Sequence, residues 1–511
     1  MLSLLSCTTM AGVAEWVCCP GEKNNVLYNA LADCPVIHRW AVADDRSAAF
    51  FALGRVQATA RPVVVAAGDG TAAAAMLPAV AAAYYERRPL LVLTMDSEPD
   101  TGGTGAPLAM EKENLFGIFA PTVEMNLPCP VSDLPDLSAL LAEGFPLHLR
   151  VRTDEAAMQR ETDFSALEMG DAPMPPAFRG SLAALSRMLR FHAVEGLVMM
   201  IGALEPAEQE PVLWLAQTLR VPVVAEAASG LREELAELLL HGADELLMQH
   251  PPRYVLRVGG VPTGHFWEAL EDLPDTEVFS ITRTGFSGLC RRSTVIEGDP
   301  EQIMKALGDV PHVGDTERLL SRSRHNAARS EERLLAHPES AAALVRAFSC
   351  HASLSEVICL SSPTVTELWN RYAQNRVPTL YLRDQSPHGA DGAISVFLGN
   401  AADAGSAFCL VGDLTLLRDL HAAAIVPQLP PGRRIVAVLN NEGAGGAAYA
   451  AGNDPELQRL LVQSPVFKAE NIARLWGAEY YRIQNEADLE ILDTLQEDSF
   501  ALLELLPDYN S

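Results

Sequence analysis

At 511 residues the chain is long enough for roughly three domains of about 150 residues each, and 49% hydrophobic with 20% charged residues marks a folded globular protein. A formal net charge of −28 argues against nucleic acid and anionic membranes as partners, and makes the binding of any anionic substrate depend on local Arg or Lys. No apolar run reaches the roughly 18 residues of a membrane-spanning helix, and nine scattered cysteines without paired metal spacing read as the reduced thiols of a cytoplasmic protein.

The first stretch, MLSLLSC, lacks the basic start and apolar length of a signal sequence and reads as the beginning of a helix near 2–12. A strand over 14–18 follows, then the turn Cys19-Pro20-Gly21-Glu22-Lys23 and a helix near 24–32. A strand over 36–43 leads to Asp44-Asp45-Arg46 and a helix over 47–58. The strand 63–67 ends at Gly68-Asp69-Gly70-Thr71, an Ala-rich helix is predicted over 72–85, and the strand 90–94 runs to Asp96. This alternation, with polar or Gly residues at the ends of the strands, predicts an α/β layer fold. Residues 170–185 are Pro- and Ala-rich and read as a linker. A second α/β unit, with strands near 196–201, 221–225 and 254–258, fills 186–310, and a charged helical bridge spans 311–340.

The last third carries the most specific pattern. The buried strand 407–411 stops at Gly412-Asp413; a helical segment with Leu416, Leu417, Leu420, Ala423 and Ala424 on one face follows; Pro430-Pro431-Gly432 breaks it; and a second buried strand, 435–439, ends at Asn440-Asn441. A carboxylate and an amide at the carboxyl ends of two parallel strands, beside Gly backbone, suit a hard cation that carries a phosphate. The plainer reading is an ordinary Gly-Asp turn and an Asn-Asn strand end.

Asp413 lies 27 and 28 residues before Asn440 and Asn441, a spacing that resembles the diphosphate motif of thiamine-diphosphate enzymes. Four further stretches, DDRSAAFFALG (44–54), RPVVVAAGDGTAAAAMLPAV (61–80), RRPLLVLTMD (87–96) and GAPLA (105–109), resemble one family of these enzymes. It is the MenD family, 2-succinyl-5-enolpyruvyl-6-hydroxy-3-cyclohexene-1-carboxylate synthase. The central words MIGALEPAE, VPVVAEAASGL and LRVGGVPTG, and HGADG (388–392) before the diphosphate motif, extend the resemblance over essentially the whole chain. It implies three domains, each a parallel sheet flanked by helices: a pyrimidine-binding domain over 1–170, a central domain over 186–310 and a diphosphate-binding domain over 341–511. It implies thiamine diphosphate and Mg²⁺ as cofactors. It also implies a homodimer or homotetramer, and a small 2-oxo acid as substrate.

The resemblance also assigns residues. Asp413, one of Asn440 and Asn441, and a backbone carbonyl hold the metal; Asn441 pairs with the carbonyl of Gly443, and Asn440 would pair with that of Glu442. Gly412 and Thr415 contact the diphosphate. Gly389 and Ala390 form the Gly-rich turn, where Ala390 replaces the bulky residue that props the bent cofactor. The family's activating Glu falls on Asp45, one methylene shorter, where a misplacement of about 1 Å is worth roughly a hundredfold in rate; the plainer reading is that Asp44-Asp45 caps the next helix.

The family joins a succinyl semialdehyde unit, from 2-oxoglutarate, to isochorismate, and both substrates are dicarboxylates that call for basic residues. At the family's anion-binding positions this chain has Glu22-Lys23, Asp96-Ser97-Glu98, Pro107-Leu108, His265-Phe266, Thr366 and Gln385, and Gly446-Ala447 stands at its apolar wall. Lys23, Arg46 and Arg383 remain as candidate substrate-binding cations, against Glu22, Glu98 and Asp69. His388 is a candidate acid–base group or an ordinary surface His. Three readings follow: a MenD-like decarboxylase and carboligase, a homologue without catalysis in a structural or regulatory role, and a decarboxylase for a smaller 2-oxo acid. An NAD-binding fold is disfavoured, because no G-x-G-x-x-G follows a predicted strand.

Overall fold

The computed structural model describes residues 1–97, 103–153, 164–173, 178–313, 317–374, 380–383, 391–443, 452, 454–462 and 468–508. Three wholly parallel sheets organise them. The first contains β1 (Glu15–Cys18), β2 (His38–Ala41), β3 (Val63–Ala66), β4 (Leu90–Ser97), β5 (Thr122–Leu127) and β6 (Leu147–Thr153), in the order β2-β1-β3-β4-β6-β5. The second contains β7 (Leu197–Ile201), β8 (Val223–Ala225), β9 (Tyr254–Val258), β10 (Glu277–Thr282) and β11 (Thr294–Glu297), in the order β11-β10-β9-β7-β8. The third contains β12 (Val357–Leu360), β13 (Leu380–Arg383), β14 (Ser406–Gly412), β15 (Arg433–Leu439), β16 (Glu479–Ile483) and β17 (Phe500–Leu505), in the order β13-β12-β14-β15-β17-β16.

The first and third sheets thus repeat one topology, with the strand order reversing between β1 and β3 and between β12 and β14. In such sheets, ligands bind beyond the carboxyl ends of the strands at the reversal. The inner strands β3 and β12 are buried along their whole length, as the apolar runs VVVA and VICL require when helices cover both faces.

The chain divides into two compact units: Met1–Pro176 with Ser386–Ala404 and Thr415–Pro430, and Ala177–Gln385 with Gly405–Leu414 and Pro431–Ser511. In the first unit the opening helix, Leu2–Met10, packs Leu4, Leu5 and Cys7 into a core with Trp16, Leu27, Leu91 and Leu149. In the second, the central sheet builds its own core around Met199, Leu215, Leu256 and Ile281. Its Ala227 and Ala228 join the core of the third sheet beside Phe348 and Trp369, and the Ala227 N–H donates to Asn370 Oδ1 at 2.7 Å.

Two expected helices are broken. The Ala-rich segment forms Ala72–Ala75 and Leu77–Glu86, because Pro78 lacks the N–H that would continue a single helix. The segment after Asp413 forms a short helix, Asp413–Arg418, and then a 3₁₀ run over Ala422–Gln428 that contains Pro427. The charged bridge is helical over Glu317–Ala336.

Candidate functional site

In the second unit, β14 and β15 lie side by side with Gly412 opposite Leu439, so Asp413 and Asn440 emerge together at the carboxyl edge of the third sheet. Asp413 is buried. Its Oδ1 accepts the Leu414 N–H at 2.8 Å and its Oδ2 accepts the Gly443 N–H at 2.6 Å. Burial raises its pKa, against the pull of the backbone N–H groups of Gly443, Leu414 and Asn441. The turn after the Asn pair is left-handed at two successive residues, Glu442 (φ 56°) and Gly443 (φ 70°). For the non-glycine Glu442 this conformation costs about 1 kcal/mol, and such strain collects at functional sites.

Asn440 holds that turn. Its Oδ1 accepts the Glu442 N–H at 2.9 Å, and its Nδ2 donates to Glu504 Oε1 at 2.7 Å. Glu504 in turn accepts a hydrogen bond from the Tyr480 hydroxyl. Gly412 ends β14, and Thr415 is buried in the short helix that Asp413 begins.

In the first unit, the ends of β1, β2 and β3 meet at the strand-order reversal. Asp44 caps the Asp45–Thr59 helix by accepting the Ser47 N–H at 2.8 Å. Asp45 does not cap. Its Oδ1 accepts the Gly68 N–H at 2.8 Å, and the buried Cys19 thiol bonds to the same carboxylate. Burial raises the Asp45 pKa; the Gly68 N–H and the Cys19 thiol work against it. Gly68 is needed here, since a Cβ would stand 2.6 Å from the Pro20 carbonyl oxygen. Asp69 is tied to the turn of Lys23: its Oδ2 accepts the Glu22 N–H at 2.6 Å. Lys23 itself is half-buried in the 3₁₀ turn Glu22–Asn24.

Sequence reasoning missed two buried cations of this unit, Lys112 and Arg150. Asp96, at the position where the family has a DRP turn, is buried and paired with Lys112 Nζ at 2.7 Å and Arg150 Nε at 2.6 Å. Burial acts to raise its pKa, but the two cations outweigh burial and hold the carboxylate below its ordinary value. Arg150 also reaches Glu124 Oε1 at 3.3 Å. The signal was in β6, LHLRVRT, where period-two alternation puts His148, Arg150 and Arg152 on one face.

The other candidates are dispersed. Arg46 donates to Asp391 Oδ1 at 3.2 Å and to the Arg418 carbonyl at 2.9 Å. Arg383 is the last residue of β13, opposite Leu360. Thr366 and Phe266 are buried, His265 is exposed, and Leu108 is exposed in a left-handed conformation. Glu98, Gln385, His388, Gly389, Ala390, Gly446 and Ala447 lie outside the described residues.

Residues 3–112 match the thiamine pyrophosphate enzyme family, N-terminal TPP binding domain. The 2-succinyl-5-enolpyruvyl-6-hydroxy-3-cyclohexene-1-carboxylate synthase of Akkermansia muciniphila is 46% identical over 511 residues, covering 99% of this chain and 95% of its own length. The chain belongs to the MenD family. The synthase of Bdellovibrio bacteriovorus is 27% identical over 92% of this chain and 89% of its own. Among solved structures, benzoylformate decarboxylase from Polynucleobacter necessarius superposes with a TM-score of 0.73 over 99% of this chain and 98% of its own, at 11% identity, which shows the shared three-sheet fold.

As a MenD-family protein the chain is a thiamine-diphosphate-dependent enzyme, and its cofactor is thiamine diphosphate with a divalent cation such as Mg²⁺. The residues present suit that pair. A buried carboxylate, a neighbouring amide and a left-handed turn form a sparse oxygen donor set, which is what Mg²⁺ takes when phosphate oxygens supply the remainder. No cluster of three or more His, Cys, Asp or Glu suited to a metal occurs among the described residues. No helix among them is long and apolar enough to cross a membrane.

Proposed function

We propose that this enzyme is a 2-succinyl-5-enolpyruvyl-6-hydroxy-3-cyclohexene-1-carboxylate synthase, which releases CO₂ from 2-oxoglutarate and transfers the remaining succinyl semialdehyde unit to isochorismate. The observation that carries the reading is the 46% identity over essentially the whole chain to a synthase of that name, together with the buried Asp413 beside the Asn pair. Bound thiamine diphosphate supplies a carbanion and an electron sink for the electrons left when CO₂ departs.

The chain's own residues do the rest. By the family resemblance, Asp413 and Asn441 would hold Mg²⁺ with the Gly443 carbonyl, and Gly412, Thr415, Gly389 and Ala390 would contact the diphosphate. Asn440, whose amide is engaged by Glu504 and Glu442, shapes the turn. Asp45 would exchange the proton with the cofactor's pyrimidine ring; burial raises its pKa above the ordinary carboxylate value. Lys23 and Arg383 read substrate carboxylates. The domains run over 1–170, 186–310 and 341–511, and the active enzyme is a cytoplasmic homodimer or homotetramer.

The test is an assay of the purified chain with 2-oxoglutarate, isochorismate, thiamine diphosphate and Mg²⁺. Formation of the succinylated cyclohexene product, dependent on both cofactors, supports the reading. Absence of product, with CO₂ released only from a smaller 2-oxo acid, overturns it.

A further inference from the structure

The Asp45–Thr59 helix packs against the Ala393–Asn400 helix more closely than side chains alone allow. A Cβ on Gly54 would stand 2.3 Å from the Val396 carbonyl oxygen, one on Gly399 would stand 2.3 Å from that of Phe51, and one on Gly392 would overlap the Phe50 ring at 2.0 Å. The backbones themselves are therefore in contact, and larger residues at any of these glycines would drive the helices apart.

Polar bonds fix the register of this contact at both ends. At the far end, Arg55 donates to the Gly399 carbonyl at 3.1 Å and to Asp403 Oδ2 at 2.7 Å, and Asn400 donates to Gln57 Oε1 at 2.6 Å. At the near end lie the immediate neighbours of Asp45. Arg46 bridges Asp391 and the Arg418 carbonyl. The buried Asp419 accepts the Ser395 N–H at 2.7 Å, the Ser395 hydroxyl at 2.8 Å and the Ser47 hydroxyl at 3.4 Å. Asp391 and Gly392 are the last two residues of HGADG, and Ser395 lies in the first turn of the helix that follows.

We propose that Arg46 is a positioning residue rather than a substrate-binding one: with Asp391 it locks the N-terminal turn of the Asp45–Thr59 helix to Asp391-Gly392 at the start of the Ala393–Asn400 helix. Its Nη2 already has two acceptors, the Asp391 carboxylate just before the Ala393–Asn400 helix and the Arg418 carbonyl. The inference rests on Asp45 as the activating carboxylate. An error in that carboxylate's placement is felt in the proton removed from the cofactor, and not in how tightly a 2-oxo acid is held.

The experiment uses the cofactor-loaded enzyme and measures, in one series, hydrogen–deuterium exchange at thiazolium C2 of bound thiamine diphosphate, kcat, and KM for 2-oxoglutarate. Arg46→Gln and Asp391→Asn are each expected to slow C2 exchange and kcat together by about tenfold, with KM within about twofold. The double variant is expected to be no worse than the poorer single one, since both remove the same bond. Arg46→Lys, which keeps a charge and several donors, is expected to recover exchange to within about threefold of wild type. A KM raised about tenfold in Arg46→Gln with unchanged C2 exchange overturns the proposal and makes Arg46 a substrate ligand. Additive losses in the double variant overturn it as well. Asp391→Asn carries the test if Arg46→Gln does not fold. Asp45→Ala is run beside them: unchanged C2 exchange there contradicts the reading of Asp45 itself, whereas slowed exchange there with normal exchange in Arg46→Gln contradicts only the role of Arg46.

Discussion

The Gly68 N–H donates to Asp45 Oδ1 at 2.8 Å, which joins the turn after β3 to the first residue of the helix after β2. The bond holds the carboxylate at the strand-order reversal of the first sheet. Gly68→Ala places a Cβ 2.6 Å from the Pro20 carbonyl oxygen and 3.4 Å from Asp45 Oδ1. It is expected to cost about 1–3 kcal/mol of stability through displaced backbone, read by urea denaturation, and to slow C2 exchange in the bound cofactor.

The raised pKa of Asp45 is a statement about stability. A carboxyl whose folded pKa lies above its unfolded value binds its proton more readily when folded, so its ionised form opposes folding at neutral pH. Asp45→Asn keeps an oxygen for the Gly68 N–H and removes the charge. The cofactor-free variant is expected to melt at a higher temperature than wild type at pH 8, with the gap closing as pH falls through the folded pKa. Its C2 exchange is expected to fall by about a hundredfold. A gain in stability with a loss of activation marks a group retained for function.

His148 gives a second pH dependence. It is buried between the Thr94 and Thr122 hydroxyls, each 3.0 Å from a ring nitrogen. Burial, then the Lys112 and Arg150 charges, lower its pKa from 6.5 to about 4. A His with a depressed folded pKa contributes its stability fully above the unfolded value near 6.5, and loses it as pH falls toward 4. Wild type is expected to lose about 3 kcal/mol over that window from this group. His148→Gln should show a shallower slope in urea denaturation at pH 4.5–7.

The two Asn residues are expected to separate by readout. Asn440→Ala leaves Glu504 without one donor and frees the Glu442 turn, so about 1–2 kcal/mol of stability should be lost. Asn441→Ala should weaken Mg²⁺-dependent cofactor binding by about tenfold or more.

Part of the fold was legible because some strands are short, mostly apolar runs that stop at Gly, Asp or Asn; β3 and the pair β14 and β15 were found within two residues. The Asp413 and Asn440-Asn441 motif was legible for the same reason, since strand ends fix where the next polar residues emerge. What stayed hidden depends on contacts distant in sequence. That Asp44 caps while Asp45 turns to Gly68 requires knowing that β3 lies one strand away from β2, across β1. The cations that pair with Asp96, Lys112 and Arg150, lie 16 and 54 residues away in the sequence. Arg46 looked available for substrate because Asp391 is 345 residues downstream.

The most direct test of the account is a calorimetric titration of thiamine diphosphate with Mg²⁺ into wild type and Asp413→Ala. Wild type is expected to bind near micromolar, about −8 kcal/mol, and Asp413→Ala to show no binding in the same range. No binding by wild type, or equal binding by the variant, contradicts the assignment of the cofactor site.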